Sequence, residues 1–90
     1  KEALRIGLTN WVVPKDQLAS FTMDIARKLA KKSPVALAAA KAAVNIGGEM
    51  DRDRGIEYVL AEFLLLFASK DQKEGMKAFL EKREPVFTGK

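Results

Sequence analysis

The sequence predicts a mainly α-helical chain, and three observations carry that prediction. Apolar residues recur every three or four positions from Leu18 to Phe67, the period of a helix with one buried face. Start signals stand before the periodic runs: Ser33 ahead of Pro34, then Asp51, then Ser69 with Gln72 three positions on. A single apolar run, Leu8 to Val13, has strand character and finds no second run to pair with. The expected architecture is about four helices plus a helix stub and one orphan strand.

Taken in order, Lys1 to Ile6 reads as the tail of a helix, with Gly7 as its C-cap because a left-handed backbone favours glycine. Leu8, Trp11, Val12 and Val13 make the strand, expected over residues 8–13, and Pro14 ends it. A lone strand leaves its ladder groups unpaired, so it is expected to dock on an upstream sheet or another chain. Leu18, Phe21, Ile25 and Leu29 form one face of the next helix, closed by Lys28, Lys31 and Lys32 at the negative end of its dipole. The helix after Ser33-Pro34 is alanine-rich and runs to about Asn45; its small side chains let a neighbour approach closely. Gly47-Gly48 is expected to loosen its end, and residues 47–53 are the one plausible hinge.

Asp51 caps the fourth helix, whose main apolar face is Ile56, Val59, Leu60, Phe63, Leu64 and Phe67. Leu65 and Leu66 widen that face almost to the full circumference, and a helix apolar all round is buried all round. Ninety residues cannot easily surround it, so oligomer contacts or a further domain are expected to complete its cover. The fifth helix starts at Ser69 with a Ser-x-x-Gln capping box, is expected to bury Met76, Phe79 and Leu80, and stops before Pro85.

Composition removes several chemistries. The chain has no histidine and no cysteine, so a Ser-His-Asp or Cys-His arrangement, a thiolate metal site and a disulfide framework are all excluded. No acidic cluster has metal-ligand spacing, and no glycine-rich loop cradles a phosphate. The net charge of +4 comes from lysines and arginines interleaved with acids, which argues against nucleic-acid binding. No apolar stretch approaches the roughly 20 residues of a membrane span, and no signal-peptide pattern opens the chain. A cytoplasmic protein with no membrane partner is expected.

The remaining charged and aromatic residues have a plain reading and a sharper one. Asp51 and Asp53, or Glu81 and Glu84, read as a cap and solvated charges rather than paired catalytic carboxylates. Lys70, Lys73 and Lys77 share one helical face, by default a solvated one. Lys82-Arg83 suits a helix C-terminus, yet a lysine there can also meet a phosphate as a mobile point charge. Phe63 and Phe67, four apart, read as core packing; an exposed phenylalanine would instead offer an apolar surface to a planar heterocycle.

Three segments in order resemble the crotonase (enoyl-CoA hydratase/isomerase) superfamily: Ala3 to Pro14 (ALRIGLTNWVVP), Ser33-Pro34 followed by Ala40 to Asn45 (AKAAVN), and, most strongly, Asp71 to Phe87 (DQKEGMKAFLEKREPVF). The resemblance implies the C-terminal helical, trimer-building segment of a crotonase-like α/β fold, most like a short-chain enoyl-CoA hydratase. Residues 1–14 would then close the family's core and residues 15–90 form the helical oligomerisation segment. Family members hydrate 2-trans-enoyl-CoA to 3-hydroxyacyl-CoA with two glutamates and an oxyanion hole of two backbone N–H groups. Those groups belong to sequence upstream of Lys1, so no catalytic residue is assigned here and the segment alone is expected to be inactive.

Two positions carry over by resemblance as coenzyme A contacts. Phe63 matches a helical phenylalanine that reaches a neighbouring subunit's coenzyme A near its adenine, and Lys82 matches a lysine at the same end of that ligand. Lys73, Lys77 and Arg83 have weaker claims. The implied partners are an acyl-CoA substrate and copies of the same chain in a homotrimer or hexamer; no cofactor or metal is implied. Thr9 and Trp11 depart from the usual pattern, Trp11 either lining the acyl pocket or covering the sheet. Other branches, isomerases among them, share much of this tail, and a free-standing helical interaction module is the alternative of a different class.

Overall fold

The structure, a computed structural model, describes all 90 residues, Lys1–Lys90. It contains five α-helices: α1 (Glu2–Arg5), α2 (Leu18–Ala30), α3 (Pro34–Gly47), α4 (Arg52–Leu66) and α5 (Lys70–Leu80), with a 3-10 turn at Lys15–Gln17 leading into α2. Gly7 has φ +77, and α1 closes in a Schellman turn: Leu8 N–H donates to Ala3 O at 2.8 Å and Gly7 N–H to Leu4 O at 3.2 Å. The expected strand is not formed. Residues 8–13 carry no regular structure, and after Thr9 N–H no backbone donor pairs before Gln17. The cause is the one anticipated, since a strand exists through its ladder and nothing in this chain offers one. Trp11 instead meets Phe21 edge-on, ring centroids 5.8 Å apart.

The caps stand where the sequence puts them. Ser33 Oγ accepts from Ala36 N–H at 3.4 Å, Asp51 Oδ1 from Arg54 N–H at 3.0 Å, and Ser69 Oγ from Gln72 N–H at 3.1 Å. The capping box at Ser69 is only half made, because Ser69 N–H donates to Leu66 O at 3.0 Å and leaves nothing for the Gln72 side chain.

α3 and α4 are the principal packed pair. The alanine face of α3 (Ala36, Ala39, Ala40, Ala43) lies along Val59, Phe63 and Leu66 of α4. Their tightest approach is at Gly47 and Gly55: a Cβ added to Gly55 would stand 2.8 Å from Gly47 O. Gly47 therefore belongs to the α3–α4 contact instead of loosening the helix end, and hydrogen bonds from Gly48, Glu49 and Met50 hold the following turn.

The chain is open. Its radius of gyration is 16.8 Å, against about 12 Å for a compact domain of this length. Its accessible surface is 7808 Å², where a closed 10.0 kDa protein would show about 5,200 Å². The difference exceeds one partner's share of a standard protein interface, about 800 Å². Ala78 is the one fully buried hydrophobic residue, and the α4 face from Ile56 through Phe67 stands largely in solvent. No helix is long and apolar enough to cross a membrane.

The expectation that α5 buries Met76, Phe79 and Leu80 is overturned. Phe79 and Leu80 are 79% and 77% exposed, and Met76 is exposed as well. The packed side of α5 is Asp71, Gly75 and Ala78, residues one helical face apart. Residues 85–90 fold back over that side: Phe87 lies against Gly75, and Asp71 N–H donates to Lys90 O at 3.0 Å.

Candidate functional site

Phe63 sits on α4, 54% exposed, with its ring edge-on to Phe67 at a centroid distance of 5.3 Å and an interplanar angle of 82°. Both rings line a cavity of about 480 Å³ between α3, α4, α5 and Phe87, with Ala36, Leu66 and Met76. Its lining is mostly apolar, edged by Ser33, Ser69, Asp71 and Gln72. An exposed, ring-braced phenylalanine on such a groove offers a face to a planar ligand. Within this chain Phe63 is packed in part, along the α3 alanines, and otherwise exposed.

Lys82 lies outside that cavity. α5 runs from the cavity toward it, and Leu80, the last helical residue, is already about 6 Å further along the axis than Met76. The two residues that the family resemblance singles out therefore do not converge on one pocket of one chain. Lys82 has another feature that sequence reasoning missed: its φ is +53, the left-handed region, and it is the sole non-glycine residue there. It occupies the place after the C-cap where glycine is usual. Lys82 N–H donates to Phe79 O at 3.2 Å and Arg83 N–H to Ala78 O at 3.0 Å, closing a Schellman turn. A side chain in that conformation costs roughly 1–2 kcal/mol. This turn, rather than Pro85, ends α5.

Arg83 and Glu74 brace the turn. Arg83 Nη1 and Nη2 donate to the two Glu74 carboxylate oxygens at 2.6 and 3.1 Å, while Arg83 Nε donates to Glu81 Oε2 at 2.6 Å. Glu74 also accepts from Val86 N–H at 3.1 Å. The Arg83 fork and the Val86 N–H hold the Glu74 carboxyl at about 2, and Arg83 is raised in return, chiefly by Glu74. Arg83 is thus committed within the chain, which weakens its claim as a ligand contact. Lys77 stands 4.0 Å from Glu81, and with Lys70 and Lys73 borders a second hollow, about 370 Å³, beside Glu74 and Thr88.

Asp71 is the second group missed. It is 3% exposed, and its Oδ2 accepts from Ser33 Oγ at 2.6 Å and Gly89 N–H at 3.0 Å, while Oδ1 accepts from Thr88 N–H at 2.8 Å. Burial raises its pKa, but the bonds from Ser33, Thr88 and Gly89 outweigh it and the net direction is downward. Carboxylates held ionised in this way are weak bases, so neither Asp71 nor Glu74 suits proton abstraction at neutral pH. The site so built can bind and orient; it holds no set of groups that would make or break a bond.

A family model described as enoyl-CoA hydratase/isomerase matches residues 1–90. Crotonyl-CoA hydratase of Syntrophomonas wolfei is 45% identical over 89 residues, covering 99% of this chain and 34% of that protein. Short-chain-enoyl-CoA hydratase of Clostridium acetobutylicum is 41% identical over 83 residues, covering 92% of this chain and 32% of its own length. The chain thus spans about a third of the curated relatives it matches. Among solved structures, enoyl-CoA hydratase from Bacillus anthracis superposes with a TM-score of 0.95 at 35% identity, over 99% of this chain and 34% of that one.

Proposed function

The chain belongs to the enoyl-CoA hydratase/isomerase family, and on that premise we propose that it is the C-terminal helical part of an enoyl-CoA hydratase. The whole protein adds water to a 2-trans-enoyl-CoA to give the 3-hydroxyacyl-CoA, in the cytoplasm, and needs no cofactor beyond its thioester substrate. Residues 1–14 close the catalytic body, and residues 15–90 supply contacts between copies in a trimer or hexamer. Phe63 contributes an apolar wall for the adenine and Lys82 a charge for the phosphates of coenzyme A. Phe63 lines the groove between α3, α4 and α5 and Lys82 does not, which fits a ligand end shared between neighbouring protomers. The catalytic groups lie outside this chain.

The observation that carries this reading is the family match over residues 1–90, with hydratase-named relatives across almost all of the chain. The uncovered face of α4 (Ile56, Leu60, Phe63, Leu64) supports the oligomer. The test is an assay of the whole protein with crotonyl-CoA and with a 3-enoyl-CoA. Loss of the conjugated-thioester absorbance with formation of 3-hydroxybutyryl-CoA supports a hydratase. Turnover of the 3-enoyl-CoA alone, by a double-bond shift, would make it an isomerase.

A further inference from the structure

The turn that carries Lys82 is closed by backbone bonds from Lys82 and Arg83 and braced by the side chains of its neighbours, not by the Lys82 side chain. Glu81 and Arg83, on either side, are bonded to each other at 2.6 Å, and Arg83 is forked onto Glu74 one turn or more back along α5. Glu74 also takes the Val86 N–H, so the segment after the turn is tied at two points, Arg83 and Val86, to one carboxylate of α5. Between them Lys82 has a left-handed backbone, and no ion pair or side-chain hydrogen bond occupies its ammonium. A strained backbone persists where the surroundings over-determine it. Here the over-determining groups are the two backbone bonds of the Schellman turn and the Glu74–Arg83–Glu81 clamp around it, and the side chain they present is an unpaired cation.

We propose that Glu74 and Arg83 are positioning residues that fix Lys82 for the anionic end of coenzyme A; this rests on the reading of Lys82 as a coenzyme A contact. The clamp touches no ligand. It sets the turn geometry, and through it the direction from which the ammonium meets a phosphate. Lysine in place of Arg83 would keep the charge but not the fork, since one ammonium cannot hold both Glu74 oxygens and Glu81 in a planar arrangement. Glu74 remains ionised throughout the pH range in which an enzyme is assayed, so the clamp works as a fixed brace and not as a switch.

The test is the dissociation constant of the intact, full-length protein for coenzyme A, with kcat and melting temperature measured on the same variants. Lys82→Ala is expected to weaken binding about tenfold, the low end for a charge-assisted hydrogen bond. Arg83→Lys and Glu74→Gln are each expected to weaken it about threefold to fivefold, with kcat unchanged within about twofold. Combined with Lys82→Ala, either adds nothing further, because a brace has no effect once its cargo is gone. If Lys82→Ala binds like the parent, the coenzyme A reading of Lys82 itself is lost. If Lys82→Ala weakens binding but Arg83→Lys and Glu74→Gln do not, Lys82 keeps its role and the positioning claim fails. Multiplicative losses in the double variants would also overturn it, by showing Arg83 or Glu74 acting on the ligand independently.

Discussion

Ser33 Oγ donates to Asp71 Oδ2 across 2.6 Å, joining residues 38 positions apart. Ser33 is at once the N-cap of α3 and a donor into the first turn of α5, while Asp71 receives the chain end through Thr88 and Gly89. One buried carboxylate therefore ties three segments: the start of α3, the start of α5 and residues 88–89. Ser33→Ala removes a hydrogen bond to a charged group and a helix cap together, and should cost about 2 kcal/mol. Asp71→Asn, similar in shape but uncharged, should also destabilise. Urea unfolding of the whole protein checks both.

Acid should release the tail before it unfolds the helices. Glu74 lies at about 2 against an ordinary 4.5, and Asp71 is also lowered. Both are depressed carboxylates, so the stability they contribute is complete above pH about 4.5 and fades as pH falls toward 2. Glu74→Gln should flatten the part of the pH–stability curve in that window and leave the curve above pH 6 parallel to the parent's.

Lys82 offers a way to separate backbone from side chain. Lys82→Gly and Lys82→Ala delete the same ammonium, but glycine alone adopts a φ of +53 without strain. Relief of left-handed strain, less the entropy that glycine gives the unfolded chain, leaves Lys82→Gly about 1 kcal/mol more stable than Lys82→Ala. Thermal melts of the two variants make the comparison.

Gly55→Ala should destabilise by about 1–3 kcal/mol through overpacking. Its Cβ would meet the Gly47 carbonyl at 2.8 Å, and backbone has little room to yield. The same exchange at Gly75 meets only the Phe87 ring at 3.5 Å, an ordinary contact, and should be mild. Chemical denaturation of the pair distinguishes a true backbone crossing from general glycine loss.

Much of the fold was legible because the signals were local. Ser33, Asp51 and Ser69 sit at helix starts whatever lies around them, and Gly7 marks a C-cap through its own backbone freedom. The illegible parts depend on distant residues. The packed side of α5 could not be read from periodicity, since Met76, Phe79 and Leu80 are the apolar positions and the tail covers Asp71, Gly75 and Ala78 instead. The strand at 8–13 has its character in sequence, but its existence depends on a ladder this chain does not supply. Phe63 stood out in the sequence as half of an aromatic pair read as core packing, and its candidacy as a ligand contact came from the family resemblance alone. The conformation of Lys82 was not, because lysine is a rare occupant of that turn and the Glu74–Arg83 fork spans nine positions.

The most direct test is steady-state hydration of crotonyl-CoA by the whole protein and its Lys82→Ala variant. On the proposed function, in which Lys82 grips the far end of the substrate and does no chemistry, the substitution should raise KM several-fold and leave kcat nearly unchanged. A large fall in kcat at unchanged KM would contradict the binding role assigned to this helical segment.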